Sequence, residues 1–189
     1  MVKAIIFDCF GVLAEDGWTP FKKKYIEGNE KVALAVQLLG KEVDSGKRSF
    51  EDMIRETAHL VNVPEAVVRT AVERQVPNEV LFDYIKSHLK PKYKIGMLSN
   101  ASYDVLHLLF SKEQVELLDA HVLSYEVGLV KPDSKMYETV AERLGVTPKE
   151  CVMVDDQSRH CAGALSVGMR AILYENFEQF QIEIQKTLQ

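Results

Sequence analysis

Four places along this chain carry side chains that could act together on a phosphate ester. Asp8 follows the apolar run KAIIF, Ser99-Asn100 follow YKIGML, Lys131-Pro132 lie in a loop after AHVL, and Asp155-Asp156 follow CVMV. A carboxylate can attack phosphorus and hold the phosphoryl group as an acyl phosphate. A phosphate dianion repels that carboxylate, so a divalent cation is needed between them. Asp8, Asp155 and Asp156 offer the hard oxygen ligands that Mg²⁺ prefers. Lys131 would offset further charge on the group in transfer. Ser99 and the amides after it, from Asn100 onward, would hydrogen-bond phosphate oxygens. Each piece alone has an ordinary reading as a turn, a helix cap or a solvated loop. Four of them in order, each beyond a strand, are hard to explain as caps.

The elements that must position them are legible as alternation. Lys3–Phe7, Tyr93–Leu98, Ala120–Leu123, Cys151–Val154 and Arg170–Tyr174 are short apolar runs that read as buried strands. Helical spacing appears at Ser134–Leu144, between Pro132 and Gly145, and at Cys161–Val167, closed by Gly168. Strands alternating with helices predict an α/β fold, a parallel sheet flanked by helices on both faces. In such sheets ligands bind beyond the carboxyl ends of the strands, where these side chains fall. The first crossover is far too long for a simple βα connection. It reads as helix over Glu30–Leu39, Ser49–Val61, Pro64–Glu73 and Val80–His88, with Ser49 and Asp52 as a cap pair. Residues 15–89 are therefore expected to be a helical insertion on a core of 1–14 and 90–189, with hinges near 14–19 and 86–91.

The segments FDCFGVL (7–13), MLSNAS (97–102), GLVKPDSKMY (128–137) and VMVDDQSRHCAGALSVGM (152–169) together resemble the four motifs of the haloacid dehalogenase superfamily. The likeness covers the whole chain, because the helical insertion falls where that family's type-I (C1) caps occur, over a Rossmann-like core. It implies Asp8 as nucleophile, Ser99 as the phosphate-binding hydroxyl and Lys131 as the residue that orients both. It also implies Mg²⁺ held by Asp8, the backbone carbonyl of Phe10 and Asp156, with Asp155 beside them. The expected activity is hydrolysis of a small phosphorylated metabolite. The pattern is most similar to that of bacterial sugar-phosphate phosphatases.

One position departs from the family. Its phosphatases usually carry a second aspartate two residues after the nucleophile, as general acid and base, and here that residue is Phe10. General acid–base help is typically worth about 10²–10⁴-fold, so the substitution favours good leaving groups or another donor. Glu15, Asp16 and His160 stand nearby in sequence, and nothing in the spacing selects one of them. The plainer reading of Glu15 and Asp16 is a solvated hinge, and of His160 a cover over the following helix. An aromatic residue at this position also occurs in 2-haloacid dehalogenases, which use no metal. Paired acids at Asp155-Asp156 count against that alternative, since without a cation they would repel each other and a carboxylate substrate. A catalytically weak, ligand-binding member is the remaining alternative. Trp18, Phe21 and Lys22–Lys24 open the insertion; aromatics packed inward from a solvated helix end is the favoured reading there.

With 23 Lys+Arg against 28 Asp+Glu the net charge is -5, and the pI near 5.6 argues against nucleic acid or a membrane surface as partner. No apolar run approaches the ~20 residues of a membrane span. Asp8 interrupts the N-terminal apolar stretch and excludes a secretory signal. Cys9, Cys151 and Cys161 lack CxxC spacing and fit reduced thiols in a cytoplasmic protein. Oligomeric state is not legible.

Overall fold

The computed structural model describes residues 1–15, 17–101 and 104–189. Ala4–Phe7 forms β1, apolar and buried along its whole length, as a central parallel strand must be. Lys94–Ser99 (β2), Ala120–Leu123 (β3), Cys151–Asp155 (β4) and Arg170–Leu173 (β5) complete a parallel sheet in the order β3-β2-β1-β4-β5. In this register Phe7 stands opposite Met97 on one side and Val154 on the other. The chain builds outward from β1 to β3, then returns to β4 on the far side. The crevice at such a switch point opens beyond the carboxyl end of β1, and Asp8 is the next residue. Its N–H donates to the Val154 carbonyl at 2.8 Å.

Between β1 and β2 the chain forms Trp18–Tyr25 (α1), Glu30–Asp44 (α2), Phe50–Val61 (α3), Glu65–Glu73 (α4) and Glu79–Tyr84 (α5), the last running into one π-helical turn over Ile85–Leu89. The Ser49–Asp52 capping box starts α3 as expected, and Asn62 ends it in the left-handed conformation. The first four helices close around their own apolar cluster, with Phe21, Ile26, Val36, Ile54 and Val68 at its centre. Trp18 stacks on Phe21 with ring centres 4.9 Å apart, so the aromatics of α1 do pack inward. One helix outruns its sequence signal. The α2 helix continues through Gly40 to Asp44, because Val43 is buried against the rest and tertiary packing outweighs the weak propensity of one glycine.

The two crossings out of this segment lie side by side. Glu15 N–H donates to Val76 O and Asn78 N–H to Leu13 O, both at 2.8 Å, and Ala14 bridges to Phe10 and Pro77. Asn78 also caps α5 and donates its side-chain amide to Val12 O and Tyr174 Oη, each at 3.1 Å. The second crossing thus falls at 76–78 and not at the expected 86–91. The reason is apolar: Leu81, Phe82, Ile85 and Leu89 pack with the strand residues Ile5, Phe7 and Ile95, so 79–89 belongs to the sheet's own core.

Beyond β2 come Val105–Leu109 (α6), Lys112–Glu116 (α7), Ser124–Val127 (α8), Ser134–Arg143 (α9), Ser158–Ser166 (α10) and Phe177–Leu188 (α11). Side chains alternate along β1. Ile5 and Phe7 meet α5, α6 and α11, while Ala4 and Ile6 meet α9 and α10 through Met136, Val140 and Ala164. The sequence reading had no helix at α11, whose Phe180 and Ile184 fill the core beneath Phe7. No helix among the described residues is long and apolar enough to cross a membrane.

Candidate active site

The loop between α8 and α9 carries Lys131 down into the sheet, where its ammonium is buried. Nζ lies 2.8 Å from Asp8 Oδ1 and 2.6 Å from Asp155 Oδ2, so one cation holds the ends of β1 and β4 together. Burial disfavours its charge, but the two carboxylates prevail and hold the ammonium well above its ordinary range. Burial, with Asp155 and Asp156 adding to it, drives the Asp8 carboxyl well up against the pull of Lys131. For Asp155 burial also acts upward. The Lys131 charge and the His160 hydrogen bond outweigh it, so that carboxyl ends well below the usual carboxylate range. The burden of one buried charge too many falls on Asp8.

Asn100 fixes the backbone that presents Lys131. Its side-chain oxygen accepts from Lys131 N at 2.7 Å, and its amide donates to Lys131 O at 3.2 Å. The side chain therefore positions the lysine, and the backbone amide of Asn100 is the part left for a ligand. The Lys131–Pro132 bond is cis. Ser99, the last residue of β2, has a fully buried Oγ with no hydrogen-bond partner among the described residues. A buried hydroxyl without a partner costs roughly 1–3 kcal/mol, which marks a place where a ligand oxygen would be welcome. Ser124, buried at the start of α8, secures the turn behind it: Oγ accepts from Ala101 N at 2.9 Å and donates to Ala101 O at 3.0 Å. Nothing in the spacing of Ser124 along the sequence betrays this role.

Three further residues complete the floor. His160 Nδ1 lies 3.0 Å from Asp155 Oδ1, and burial lowers the imidazole's proton affinity. A neutral ring donating from Nδ1 fits an ionised Asp155. Gln157 N–H donates to the same oxygen at 2.9 Å. Tyr137 is a buried core residue whose hydroxyl donates to His160 O at 2.8 Å. Asp156 is half-buried and presses on the turn after Asp8: a Cβ on Gly11 would come 2.5 Å from its Oδ2. Gly11 also has φ +81°, which other residues adopt at a penalty of about 1–2 kcal/mol. Gly11→Ala is therefore expected to lower stability by at least about 1–2 kcal/mol, read by urea unfolding. An unchanged midpoint would show that the turn relaxes out of its positive φ and that Asp156 moves aside.

Asp8, Lys131 and Asp155 thus meet, Ser99 ends the neighbouring strand β2, Asp156 abuts the turn at Gly11, and the half-buried Phe10 packs its ring against the main core. The other donors weighed for the Phe10 position do not converge. Glu15 is exposed, His160 is engaged by Asp155, and Asp16, like Ser102 of the second motif, lies outside the described residues. The acceptor atoms of Asp8, Asp155 and His160 lie within 4.8 Å of one another, but Lys131 already occupies both carboxylates.

Residues 2–168 match the haloacid dehalogenase-like hydrolase family, and the chain belongs to it. The phosphatase MT3486 of Mycobacterium tuberculosis is 24% identical over 209 residues, spanning 94% of this chain and 89% of its own. Two solved structures share the fold. A HAD-like family hydrolase of Porphyromonas gingivalis superposes with TM-score 0.72 at 22% identity over 100% of this chain and 98% of its own. A HAD family enzyme of Bacteroides thetaiotaomicron, in complex with magnesium and inorganic phosphate, gives 0.68 at 23% identity over 95% and 99%.

Proposed function

We propose that this hydrolase is a Mg²⁺-dependent phosphomonoesterase, acting on a small phosphorylated metabolite through an aspartyl-phosphate on Asp8. The observation that carries the reading is the buried Lys131 ammonium, bonded to Asp8 and Asp155 at a switch point that also holds the unpartnered Ser99 hydroxyl. Lys131 fixes Asp8 Oδ1, which orients the other oxygen for attack on phosphorus. Ser99 Oγ and the amides of the following turn, braced by Ser124, would donate to the phosphate oxygens.

The donor set fits magnesium. Asp8 and Asp155 share one ammonium, and burial first, then the charges of Asp155 and Asp156, raise Asp8. Hard oxygens are the ligands Mg²⁺ takes. We assign it to Asp8, Asp156 and the Phe10 carbonyl, with Asp155 behind them, because Lys131, His160 and Gln157 already occupy both its oxygens. The bound ion would offset the repulsion between carboxylate and phosphate dianion.

The α1–α4 helices, with their own core, serve in this reading as a C1-type cap that closes over the crevice and excludes water and large substrates. That favours a small ester, a sugar phosphate for example, over protein or nucleic acid. Three buried free thiols fit a cytoplasmic setting. The test is p-nitrophenyl phosphate, then a panel of small phosphate esters including sugar 1-phosphates. EDTA is expected to stop turnover and Mg²⁺ to restore it. Halide release from a 2-haloacid in EDTA, with no phosphatase activity, would overturn the reading in favour of a dehalogenase.

A further inference from the structure

A phosphate ester cannot release an alkoxide without a proton, and the buried site has none to give. Lys131 is locked between two carboxylates that strengthen its hold on its protons. Asp155 is ionised, His160 faces Asp155, and Phe10 has no ionisable group.

The continuation of α2 past Gly40 brings one acid from the helical segment toward this deficit. The C-terminal end of α2 rests on α8: a Cβ on Gly46 would lie 3.7 Å from the Tyr125 carbonyl. Tyr125 N–H donates in turn to Ala101 O at 3.2 Å, beside the turn that follows Ser99 and Asn100. Asp44, the last residue of α2, is half-buried. Among the described residues its carboxylate has no hydrogen bond or ion pair. The charges acting on it are those of Lys131, from the loop before α9, and Arg159, on α10. The neighbouring acids are turned elsewhere: Glu42 and Glu56 to Arg48, Glu51 to Arg69, Asp52 to Ser49 and Arg55, and Glu126 of α8 toward His121 and Arg143. Burial pushes the Asp44 carboxyl up to about 6, with Lys131 and Arg159 acting the other way. Its place at the negative end of a helix dipole also disfavours the anion.

We propose that Asp44 is the general acid and base of this enzyme, delivered to the leaving group by the helical segment. The inference rests on the phosphatase reading above. As the Asp8 oxygen bonds to phosphorus and the ester P–O bond breaks, the leaving oxygen takes the proton of the Asp44 carboxylic acid. The resulting Asp44 carboxylate then removes a proton from water, whose oxygen bonds to phosphorus as the Asp8–phosphorus bond breaks. Inorganic phosphate leaves, Asp8 is again a carboxylate and Asp44 again an acid.

The test measures kcat/KM, which reports formation of the aspartyl-phosphate, with glycerol phosphate and with p-nitrophenyl phosphate at saturating Mg²⁺. The alkoxide needs a proton to leave and p-nitrophenolate does not. Asp44→Asn is expected to lower kcat/KM about 10²–10⁴-fold on the alkyl ester and about tenfold or less on the aryl ester. It should also abolish the decline in kcat/KM expected of the wild type as pH rises through about 6, because only protonated Asp44 can act. The melting temperature should not fall. Adding Phe10→Asp to Asp44→Asn should recover part of the alkyl activity. Equal losses on both esters, no loss, or an unchanged pH profile would overturn the role of Asp44 while leaving the phosphatase reading intact. A wild type that hydrolyses neither these esters nor the wider panel would overturn both.

Discussion

Asp8→Asn is expected to reduce p-nitrophenyl phosphate turnover by a factor of about 10⁴ or more without lowering the melting temperature. The catalytic half follows from removing the nucleophile: an amide oxygen cannot form the acyl phosphate, and no other carboxylate can take its place, since Asp155 is held by Lys131 and His160. The stability half follows from the charge count. Asp8 is buried and its carboxyl is raised, so its folded-state value lies above the unfolded one. Folding then takes up a proton, and the group's contribution to stability declines as pH rises from the ordinary carboxylate range through the raised value. Above that value the penalty is complete. Asparagine has the same shape, can still accept from Cys9 N–H, and leaves Lys131 paired with Asp155. Thermal unfolding at pH 8 decides this. A melting temperature several degrees lower would show that the Lys131–Asp8 pair outweighs the burial of its charge.

Lys131→Met should do the opposite to the fold. Methionine fills a similar volume but leaves Asp8 and Asp155 buried without their common cation. Breaking a buried ion pair by removing one partner costs about 3–5 kcal/mol, and here two anions are stranded. Activity should be lost together with stability. Salt should rescue little, because screening acts on exposed charges far more than on buried ones. Urea unfolding with and without Asp155→Asn in the same chain separates the causes. Partial recovery in the double variant would locate the loss in the stranded anions. No recovery would place it in the packing of the lysine stem.

Most of the side chains at the strand ends were legible because they sit where apolar runs stop. A buried parallel strand ends in a polar residue only when something needs it there, and Asp8, Ser99 and Asp155 each end such a run. What could not be read depends on side-chain direction across distant segments. The clamp of Asn100 on Lys131 and the paired hydrogen bonds of Ser124 with Ala101 join segments that no periodicity connects. The apolar spacing of Leu81, Ile85 and Leu89 announces a helix without saying which body it packs on, and so 79–89 was expected with the wrong one. The extension of α2 past Gly40 was hidden for a related reason: the burial of Val43 is a fact of tertiary packing. In contrast, Phe177, Phe180 and Ile184 already stand at helical intervals, and α11 was within reach of the sequence.

The central strand has a consequence for the order in which the site can exist. Ala4 of β1 pairs with Lys94 and with Cys151, both of which the chain supplies much later. The nucleophile is therefore made first and given its counter-charge last. Contacts this far apart in sequence form slowly, and until β4 docks, Asp8 lacks its neighbours Lys131 and Asp155. A chain interrupted before Lys131 carries Asp8 without its counter-charge, and one interrupted before β4 still lacks Asp155. On the proposed function, half-finished molecules would be inert toward phosphate esters, and activity would arrive only once β4 is in place.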